Sequence, residues 1–599
     1  MMFKLSLLIA AALIVLSSSA LANDEPKVVK IEIVGNQALS RSQITEVMET
    51  QTVGWKFWTK RPALDQSALI RDEAAIVQLY RNEGFYQAEV DIKAEEKGRR
   101  AWVTVNIEEG PPVKIRKVEL GVTAFDPDQQ TELTELVTKL GLVQGRIFRL
   151  EDFRQVKNGL VRYLAERAHP KPHLSAKARV SASQGWADVA FELAPGPALN
   201  MGQVRVEGLG RTKLKVILKE VPWQIGQTYD QKLLDELQRR LMDLRVFTSV
   251  RVEPLLDQIK DDQVPIQVTL VERKARSVEI GVGFGTEDKL RVRGSLSVRS
   301  VLGLAETISV GAHYSSRAWG GLANYGQPHF LRRNQDLNLQ LGHIDQDEVS
   351  FSNTRSFGSA GLDRTLAGPL RLKFGYLLEI NRPYDILIDE PVAQNRQFWV
   401  SALTLETVLD TRDDKLDPSQ GVLLSVWTEL APRLLGSEVG YLKFGADLSR
   451  HLPVKPWLTL SGRLKAVTVS SLHPTDHLPV FKRLFAGGSR SIRGYPYHKL
   501  GPLDREGNPL GGQSLVELSL EARFPLLGPL GGVVFTEAGN ISSDAWSLDM
   551  GQFQYTVGVG LRFKTLIGPL RLDMGYQLNP PPEADFSRFQ VHFNIGQAF

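Results

Sequence analysis

Cysteine is absent from the 599 residues of the chain, which excludes disulfides, thiol nucleophiles and cysteine-based metal sites. There is also no large excess of one charge, because 72 lysines and arginines face 68 acidic residues and leave a net charge of +4. We therefore expect no global field that attracts nucleic acid. Long uncharged apolar runs are missing beyond residue 22, so a membrane-spanning role has to come from strands.

Residues 1–22 have the pattern of a secretory signal peptide. Lys4 precedes an apolar run from Leu5 to Leu16, and the stretch ends in small residues at Ala22. This pattern predicts cleavage after Ala22 and an envelope protein. The run is shorter than the roughly 20 residues that cross a bilayer, which argues against a permanent membrane anchor.

One structural unit occurs three times between residues 28 and 273. Each copy begins with a short alternating strand, and the equivalent positions Ile31, Val118 and Val204 lie 87 and 86 residues apart. Such constant spacing indicates one repeated supersecondary unit. Each copy continues with an amphipathic helix and ends on an alternating strand. In the first copy we expect the apolar stripe of this helix at Ile70, Ala74 and Val77.

Proline and glycine punctuate the ends of the first two copies. Gly110-Pro111 and Pro195-Gly196-Pro197 directly follow alternating strands, where proline ends a ladder of hydrogen bonds. With two helices and three strands in each copy, we predict small α+β layers with open sheet edges. The predicted boundaries of the repeats are 23–112, 113–199 and 200–274.

From residue 275 to residue 599 the apolar residues recur with a period of two. We count sixteen such segments of about ten residues, the length that crosses a bilayer at a tilt. In one of them Glu517, Ser519, Glu521 and Arg523 share a single face. The core of a soluble sandwich could not hold this set, whereas a wet lumen can. The pattern predicts a sixteen-stranded antiparallel transmembrane β-barrel.

A loop between two of these strands contains the stretch Phe485–Tyr495, which ends in Arg493-Gly494-Tyr495. Glycines in this stretch permit a tight backbone path, and the guanidinium of Arg493 has five donors and a permanent charge. The simplest interpretation of such a tripeptide is an exposed loop. If the tip is buried instead, Arg493 requires carboxylate partners nearby.

The signal peptide, the three repeats, the sixteen strands and the Arg493-Gly494-Tyr495 loop together resemble the BamA/TamA superfamily of outer-membrane assembly barrels. The repeats are similar to POTRA domains, and the chain ends on Phe599 as such barrels do. The resemblance implies a bacterial outer-membrane barrel with its POTRA domains in the periplasm. Three repeats indicate the TamA branch, because BamA typically has five.

The resemblance also implies partners. POTRA domains imply binding of extended polypeptide by strand addition at an open edge, with a rigid spacer as the alternative. The TamA branch implies a TamB-like inner-membrane-anchored partner reached through the first repeat. It further implies outer-membrane or secreted clients such as autotransporters, together with contact with outer-membrane lipid.

Within the superfamily the arginine loop folds back into the barrel and its arginine meets carboxylates on the wall. The matching positions here are Glu521 and Glu537. The family usually has aspartate at the second of these positions, so we expect Glu537 to be the less secure partner of Arg493. A mature chain of this kind has no predicted cofactor.

We interpret the barrel as a non-enzymatic catalyst of membrane insertion that opens at the seam between its first and last strands. Gly281, Gly283 and Gly285 should weaken the first strand, and Gly596, close to Phe599, could kink the last. Opening would expose two strand edges to which a client strand can pair. The alternatives are a two-partner-secretion-type pore, although the plug helix of that class is missing, and a BamA-like general insertase.

No catalytic residue, metal site or nucleotide site is predicted. Asp410, Asp413 and Asp414 lack the ligand spacing of a calcium loop, and aspartates are common in turns. His473 and His477 are separated by a proline, which excludes a zinc-binding helix. An outer-membrane lipase or protease would need a nucleophile and base pair that we cannot place.

Overall fold

The computed structural model describes residues 26–52, 63–389, 395–473, 477–565, 569–580 and 586–595, so the predicted signal peptide lies outside the described residues. The helices are α1 (Arg41–Val47), α2 (Gln66–Asn82), α3 (Pro127–Lys139), α4 (Leu150–Ala165), α5 (Leu214–Glu220) and α6 (Gln231–Asp243). The first nine strands are β1 (Lys27–Val34), β2 (Glu89–Lys97), β3 (Arg100–Glu108), β4 (Lys114–Val122), β5 (His173–Ser181), β6 (Trp186–Ala194), β7 (Asn200–Glu207), β8 (Phe247–Pro254) and β9 (Gln263–Glu272).

Sixteen further strands follow in the second half of the chain. They are β10 (Arg276–Gly285), β11 (Lys289–Arg299), β12 (Thr307–Tyr314), β13 (Ala318–Gln327), β14 (Gln335–Asp347), β15 (Ser352–Ala367), β16 (Leu370–Tyr384), β17 (Phe398–Asp410), β18 (Gly421–Ala431), β19 (Tyr441–Lys455), β20 (Leu458–Ser471), β21 (Ser514–Leu527), β22 (Leu530–Ser542), β23 (Gln554–Phe563), β24 (Leu570–Gln577) and β25 (Phe589–Ile595). Among the helices that the structure describes, none is long and apolar enough to cross a bilayer.

The three repeats form three small sheets with the same strand order. The orders β1-β3-β2, β4-β6-β5 and β7-β9-β8 place the last strand of each repeat in the centre. In the first two sheets the first strand is parallel to the central strand and the second strand is antiparallel to it. Each sheet therefore has two edge strands, which confirms the predicted α+β repeats.

The helix α2 packs through a face that matches the predicted one only in part. Ile76 and Tyr80 are fully buried, whereas Ile70 is 70% exposed and Ala74 also faces solvent. Asp72 lies on the buried face, where its carboxylate accepts hydrogen bonds from the backbone N–H groups of residues 49 and 50 at 2.6 and 3.1 Å. Val77, the third residue of the predicted stripe, is partly buried against the core, so the prediction is wrong for Ile70 and Ala74 only.

The strands from β10 to β25 form one sheet in chain order, in which consecutive strands are antiparallel. On β21 the side chains of Glu517 and Glu521 are buried, while Leu518 and Leu520 on the opposite face are 41% and 62% exposed. Polar residues inside and apolar residues outside are the arrangement of a membrane barrel. The predicted sixteen-stranded fold is confirmed.

The longest connection of the barrel, residues 472–513, joins β20 to β21, and its described residues from 477 onward include side chains that pack against the inner wall. Its side chains Leu484, Ile492 and Tyr495 belong to the same buried cluster as Tyr441 and Leu515 of the wall. An exposed surface loop would not bury aliphatic and aromatic residues in this way. The loop is therefore an internal part of the barrel.

The matched isoleucines of α2 provide a test of this packing. Ile76→Ala should destabilise the first repeat by about 2–5 kcal/mol, because it leaves a cavity at a fully buried site. Ile70→Ala in the same helix should change the free energy of unfolding little. The measurement is the urea concentration at which trypsin cleaves the first repeat of the folded protein. Equal effects of the two substitutions would contradict the observed burial.

Candidate functional site

The backbone at the tip of the 472–513 loop requires glycine. Gly488 has a φ of 107°, and a Cβ atom at this position would lie 2.6 Å from the Oε1 of Glu287. Its N–H lies 3.0 Å from the carbonyl oxygen of Tyr495, and its carbonyl accepts a bond from the N–H of Ser491 at 3.1 Å. The tip is thus closed on itself by its own backbone, which positions the side chains that follow.

Arg493 lies at the centre of the site with no exposed surface. Its Nη1 is 2.6 Å from the Oε1 of Glu521, and its Nη2 is 2.7 Å from the Oε1 of Glu537. The guanidinium carbon also lies 3.4 Å from the ring centroid of Phe535. The structure therefore brings together the arginine and both carboxylates that the sequence singles out. These ion pairs place countercharges beside a cation that is withdrawn from water.

Glu537 makes more bonds to Arg493 than Glu521 does. The Oε1 of Glu537 accepts from Nε of Arg493 at 2.7 Å, and Oε2 accepts from the backbone N–H of Arg493 at 2.6 Å. Ser519 also donates to the Oε1 of Glu537 at 3.1 Å. The sequence predicts Glu537 as the less secure partner. Here the longer side chain reaches both the side chain and the backbone of the arginine.

A third carboxylate, Asp573 on β24, is not predicted from the sequence. Its Oδ2 is 3.5 Å from Nη1 of Arg493, and the same carboxylate bonds Arg562 at 2.6 Å and Arg571 at 3.0 Å. Arg523 in turn bonds Glu521 at 2.8 Å. The alternation of β24, with Leu570, Leu572 and Met574 on the other face, could have indicated that Asp573 points inward. The buried cluster contains four arginines and three carboxylates, which are Arg493, Arg523, Arg562, Arg571, Glu521, Glu537 and Asp573.

The two residues after Arg493 fit closely against the wall. The carbonyl of Gly494 accepts a bond from Gln577 at 2.6 Å, and a Cβ atom on Gly494 would lie 2.4 Å from the hydroxyl of Thr556. Tyr495 is fully buried and packs edge to face on Phe586, with ring centroids 6.2 Å apart. All three residues of the predicted motif therefore contact strands or connections near the C-terminal end of the barrel.

The loop tip contacts both ends of the barrel sheet. Ser489 donates from its hydroxyl to Glu287, in the turn after β10, at 2.9 Å. The same hydroxyl accepts a bond from Asn594 of β25 at 2.8 Å. His592, also on β25, lies 2.9 Å from the carbonyl oxygen of Arg493. The tip thus bridges the first and last strands from the inside.

In the described part of the join between β10 and β25, the backbone contact is made by Thr286 and Phe593. Thr286 donates its N–H to the carbonyl of Phe593 at 3.3 Å, and its hydroxyl accepts from the N–H of Phe593 at 3.4 Å. The rings of Phe284 and Phe593 are 6.4 Å apart. By contrast, β10 pairs with β11 along its whole length. Residues 596–599 lie outside the described chain, and with them Gly596 and Phe599 of the predicted seam.

The three glycines predicted at the seam lie on the lumen side of β10. Gly281, Gly283 and Gly285 alternate with exposed lipid-side residues, and Gly285 is the one nearest to β25. A Cβ atom on Gly285 would lie 3.1 Å from Oδ1 of Asn594. The weakening of β10 by these glycines stays a prediction.

A second ionic contact holds the beginning of the loop on another part of the wall. Nζ of Lys482 is 2.7 Å from Glu379 of β16 and 3.5 Å from Glu429 of β18. Arg355 of β15 lies 3.2 Å from the same Glu379, which is 2% exposed. This contact is not predicted from the sequence, because it depends on strands far from the loop in the chain.

The sequence profile of the Omp85 superfamily domain matches residues 301–599. A POTRA profile, described as surface antigen variable number repeat, matches residues 26–110 and 200–273. The chain belongs to the Omp85 superfamily. As an Omp85 protein it is an outer-membrane barrel with its POTRA domains in the periplasm. The second repeat, outside both POTRA matches, has the same sheet order as the other two.

Curated relatives of this Omp85 chain include two BamA outer-membrane protein assembly factors. That of Nitratidesulfovibrio vulgaris is 26% identical over 95% of this chain and 73% of its own length. That of Neisseria meningitidis is 21% identical over 96% and 78%. The crystal structure of BamA from Haemophilus ducreyi lacking POTRA domains 1–3 matches 80% of this chain and 99% of its own, with 17% identity and a TM-score of 0.67. These names support the superfamily but not its TamA branch.

The buried cluster generates a prediction about the loop. Arg493→Ala should lower the free energy of unfolding by about 3–5 kcal/mol, because Glu521 and Glu537 would stay buried without their cation. Arg493→Lys should lower the free energy of unfolding by a smaller amount, since an ammonium keeps the charge but cannot reproduce the planar set of donors of a guanidinium. The measurements are the rate at which protease cleaves the loop and the temperature at which the folded electrophoretic form is lost.

Arg490→Ala is the matched control, because Arg490 is exposed on the same loop. It should leave both quantities unchanged. If Arg493→Ala resists protease and heat as well as this control does, the cluster does not hold the loop in place.

Proposed function

We propose that this Omp85 chain inserts outer-membrane clients by opening between β10 and β25 and pairing a client strand to an exposed edge. The observation that supports this best is the join itself, where Thr286 and Phe593 supply the backbone bond over the described residues. A backbone hydrogen bond contributes only about 1 kcal/mol net, so breaking this bond costs little.

The chemistry of an open edge fits such a role. An unpaired strand presents a row of N–H and C=O groups that pair with any extended chain, with little dependence on its side chains. Each new bond of the client replaces one lost on opening, so the folding of the client itself can drive the reaction. The outer face of β10 is apolar, and Ile280 on it is 77% exposed. A client strand paired to the edge of β10 could therefore continue this lipid-facing surface.

The loop tip adds control to this mechanism. Because Ser489 bonds both Glu287 and Asn594, separation of the two edges breaks at least one of these contacts. We infer that the buried cluster around Arg493 keeps the tip seated while the seam opens and closes. In this proposal Arg493, Glu521 and Glu537 are positioning residues, and none of them performs covalent chemistry.

The repeats supply the periplasmic part of the proposal. The second strand of each repeat, β2, β5 and β8, lies at an edge of its sheet. Such edges can bind extended clients or partners by strand addition. The domain boundaries proposed from the sequence, with repeats at 23–112, 113–199 and 200–274 and the barrel from 275, leave each of these strands inside one repeat.

Two more specific functions are compatible with this proposal, and they differ in the clients that would be inserted. A general insertase for outer-membrane barrels is favoured by the relatives, which are named BamA assembly factors. A TamA-like function would add autotransporter clients and a TamB-like inner-membrane-anchored partner, and it has the number of repeats as its support. We favour the general insertase.

A crosslink across the seam tests the proposal directly. Cysteines at Phe284 and Phe593, whose rings lie 6.4 Å apart, can be joined by a short reducible bismaleimide in a chain that has no other cysteine. Joining them should abolish insertion of a barrel client into proteoliposomes, and reduction should restore it. The measurement is protection of the client from protease.

The matched control joins Val292 to Tyr314, which are paired on β11 and β12. This crosslink should leave client insertion unchanged, because that ladder need not open. Undiminished insertion by the seam-crosslinked protein would rule out lateral opening as the mechanism.

The finer functions can be separated by purification from envelope membranes in mild detergent, followed by mass spectrometry. For a general insertase we expect several unrelated barrel clients and no stoichiometric inner-membrane-anchored protein. A stoichiometric TamB-like partner that disappears when residues 26–110 are deleted would instead establish the TamA-like function.

A further inference from the structure

Three segments of the chain meet at the periplasmic end of the first barrel strands. They are α5 with the residues just before it (Arg211–Glu220), the turn 300–306 between β11 and β12, and the turn 328–334 between β13 and β14. The N–H of Lys213 donates to Gly303 at 3.0 Å, and Nζ of Lys219 donates to the carbonyl of His329 at 3.1 Å. All three segments belong to the same compact unit as the barrel.

The turn 300–306 displays two aliphatic side chains on a firmly bonded backbone. Glu306 is fully buried, and its carboxylate accepts the N–H groups of Leu302 at 2.5 Å and Leu304 at 2.8 Å. Its carbonyl accepts the N–H of Ser300 at 2.7 Å. Val301 and Leu302 are nevertheless 53% and 52% exposed. A turn that folds around a buried carboxylate and points aliphatic residues outward is suited to an apolar environment.

The neighbouring segments add to the same apolar surface. Leu214 and Leu218 lie one turn apart on α5 and are 47% and 46% exposed, and Leu331 of the other turn is 74% exposed. The lipid-facing side of the barrel continues into this surface, because Leu296 on β11 is 45% exposed on the strand that leads into the turn 300–306. The exposed apolar residues therefore extend the membrane-facing belt rather than form an isolated patch.

In these segments the cationic side chains are exposed and the carboxylates are buried. Their exposed charged residues are all cationic, namely Arg211, Lys213, Lys215, Lys219, Arg332 and Arg333. Their carboxylates, Glu220 and Glu306, are 1% and 0% exposed, and Glu220 lies 3.0 Å from His329. Aliphatic residues flanked by lysines and arginines are typical of protein segments that lie in the headgroup region of a bilayer. Long cationic side chains can reach phosphate while their stems lie in apolar surroundings.

We propose that these three segments form a membrane-docking rim, with Leu214, Leu218, Val301, Leu302 and Leu331 inserted in the periplasmic leaflet. The surrounding lysines and arginines bind the phosphates of anionic phospholipid. The occupant is lipid rather than a protein partner, because the apolar residues continue the lipid-facing side of β11 and stand where the bilayer surface meets the barrel. The rim holds α5 of the third repeat against the membrane.

The absence of cysteine permits a direct test with single labelled positions in the full-length protein. An environment-sensitive fluorophore is attached to a cysteine at Leu302 or Leu218, and the protein is reconstituted in bilayers that contain spin-labelled phospholipid. Quenching at both positions should exceed several-fold that at Ile70 of the first repeat, which is 70% exposed. Val310, on the lipid-facing side of β12 and 57% exposed, provides the positive control.

Quenching at Leu302 and Leu218 no greater than at Ile70 would overturn the proposal. So would protection of these labels by an envelope protein without any quenching by lipid, since the occupant would then be a protein. Retention of the folded electrophoretic form shows that each labelled protein has kept its barrel.

The cationic part of the rim is tested with Lys215→Gln combined with Arg332→Gln. In bilayers of phosphatidylcholine with added phosphatidylglycerol, quenching at Leu218 should rise above its value in phosphatidylcholine alone. The double variant should lose this rise. If the rise is the same in the variant, or absent in the unmodified protein, the rim does not bind anionic phosphate.

Discussion

A guanidinium fully removed from water imposes the strongest physical requirement on this barrel. Arg493 can be buried only where carboxylates already converge, and strands β21, β22 and β24 supply Glu521, Glu537 and Asp573. Each carboxylate alone would be costly in the lumen, and so would the arginine alone. Together they form a network in which breaking one contact weakens the rest. The loop that contains Arg493 is therefore bound to one particular part of the wall.

The position of that part of the wall connects the loop with the seam. From the cluster the tip reaches Glu287 beside the first strand and Asn594 on the last. A loop tip bonded to both edges loses a contact when the edges separate, whereas a loop bonded to the middle of the sheet would not. Nearer its beginning the loop is bonded through Lys482 to Glu379, so its beginning and its tip have separate ionic attachments. Movement of the tip therefore need not release the whole loop.

Polarity divides the barrel into regions with different partners. The lumen holds the charged cluster, the outer face holds exposed aliphatic residues, and the periplasmic rim combines exposed leucines with lysines and arginines. The charged lumen provides fixed countercharges, the aliphatic outer face suits acyl chains, and the rim suits lipid headgroups.

Much of the fold follows from local pattern. The period of two after residue 275 and the near-constant repeat spacing specify sixteen strands and three α+β units, because side-chain alternation and repetition are properties of neighbouring residues. The resemblance of the loop to a known family also led to Glu521 and Glu537 as the residues beside Arg493. Local pattern failed for α2, where the buried Asp72 interrupts the apolar face and Ile70 points to solvent.

The sequence alone thus determined the strands, the repeats and which residues face inward, since each depends on a short stretch of chain. Apart from Glu521 and Glu537 beside Arg493, only the tertiary structure decided which inward residues meet. Asp573 reaches Arg493 across 80 residues, Lys482 reaches Glu379 across 103, and Lys219 meets His329 across 110. The register and curvature of the closed sheet decide these encounters, and no single segment contains that information.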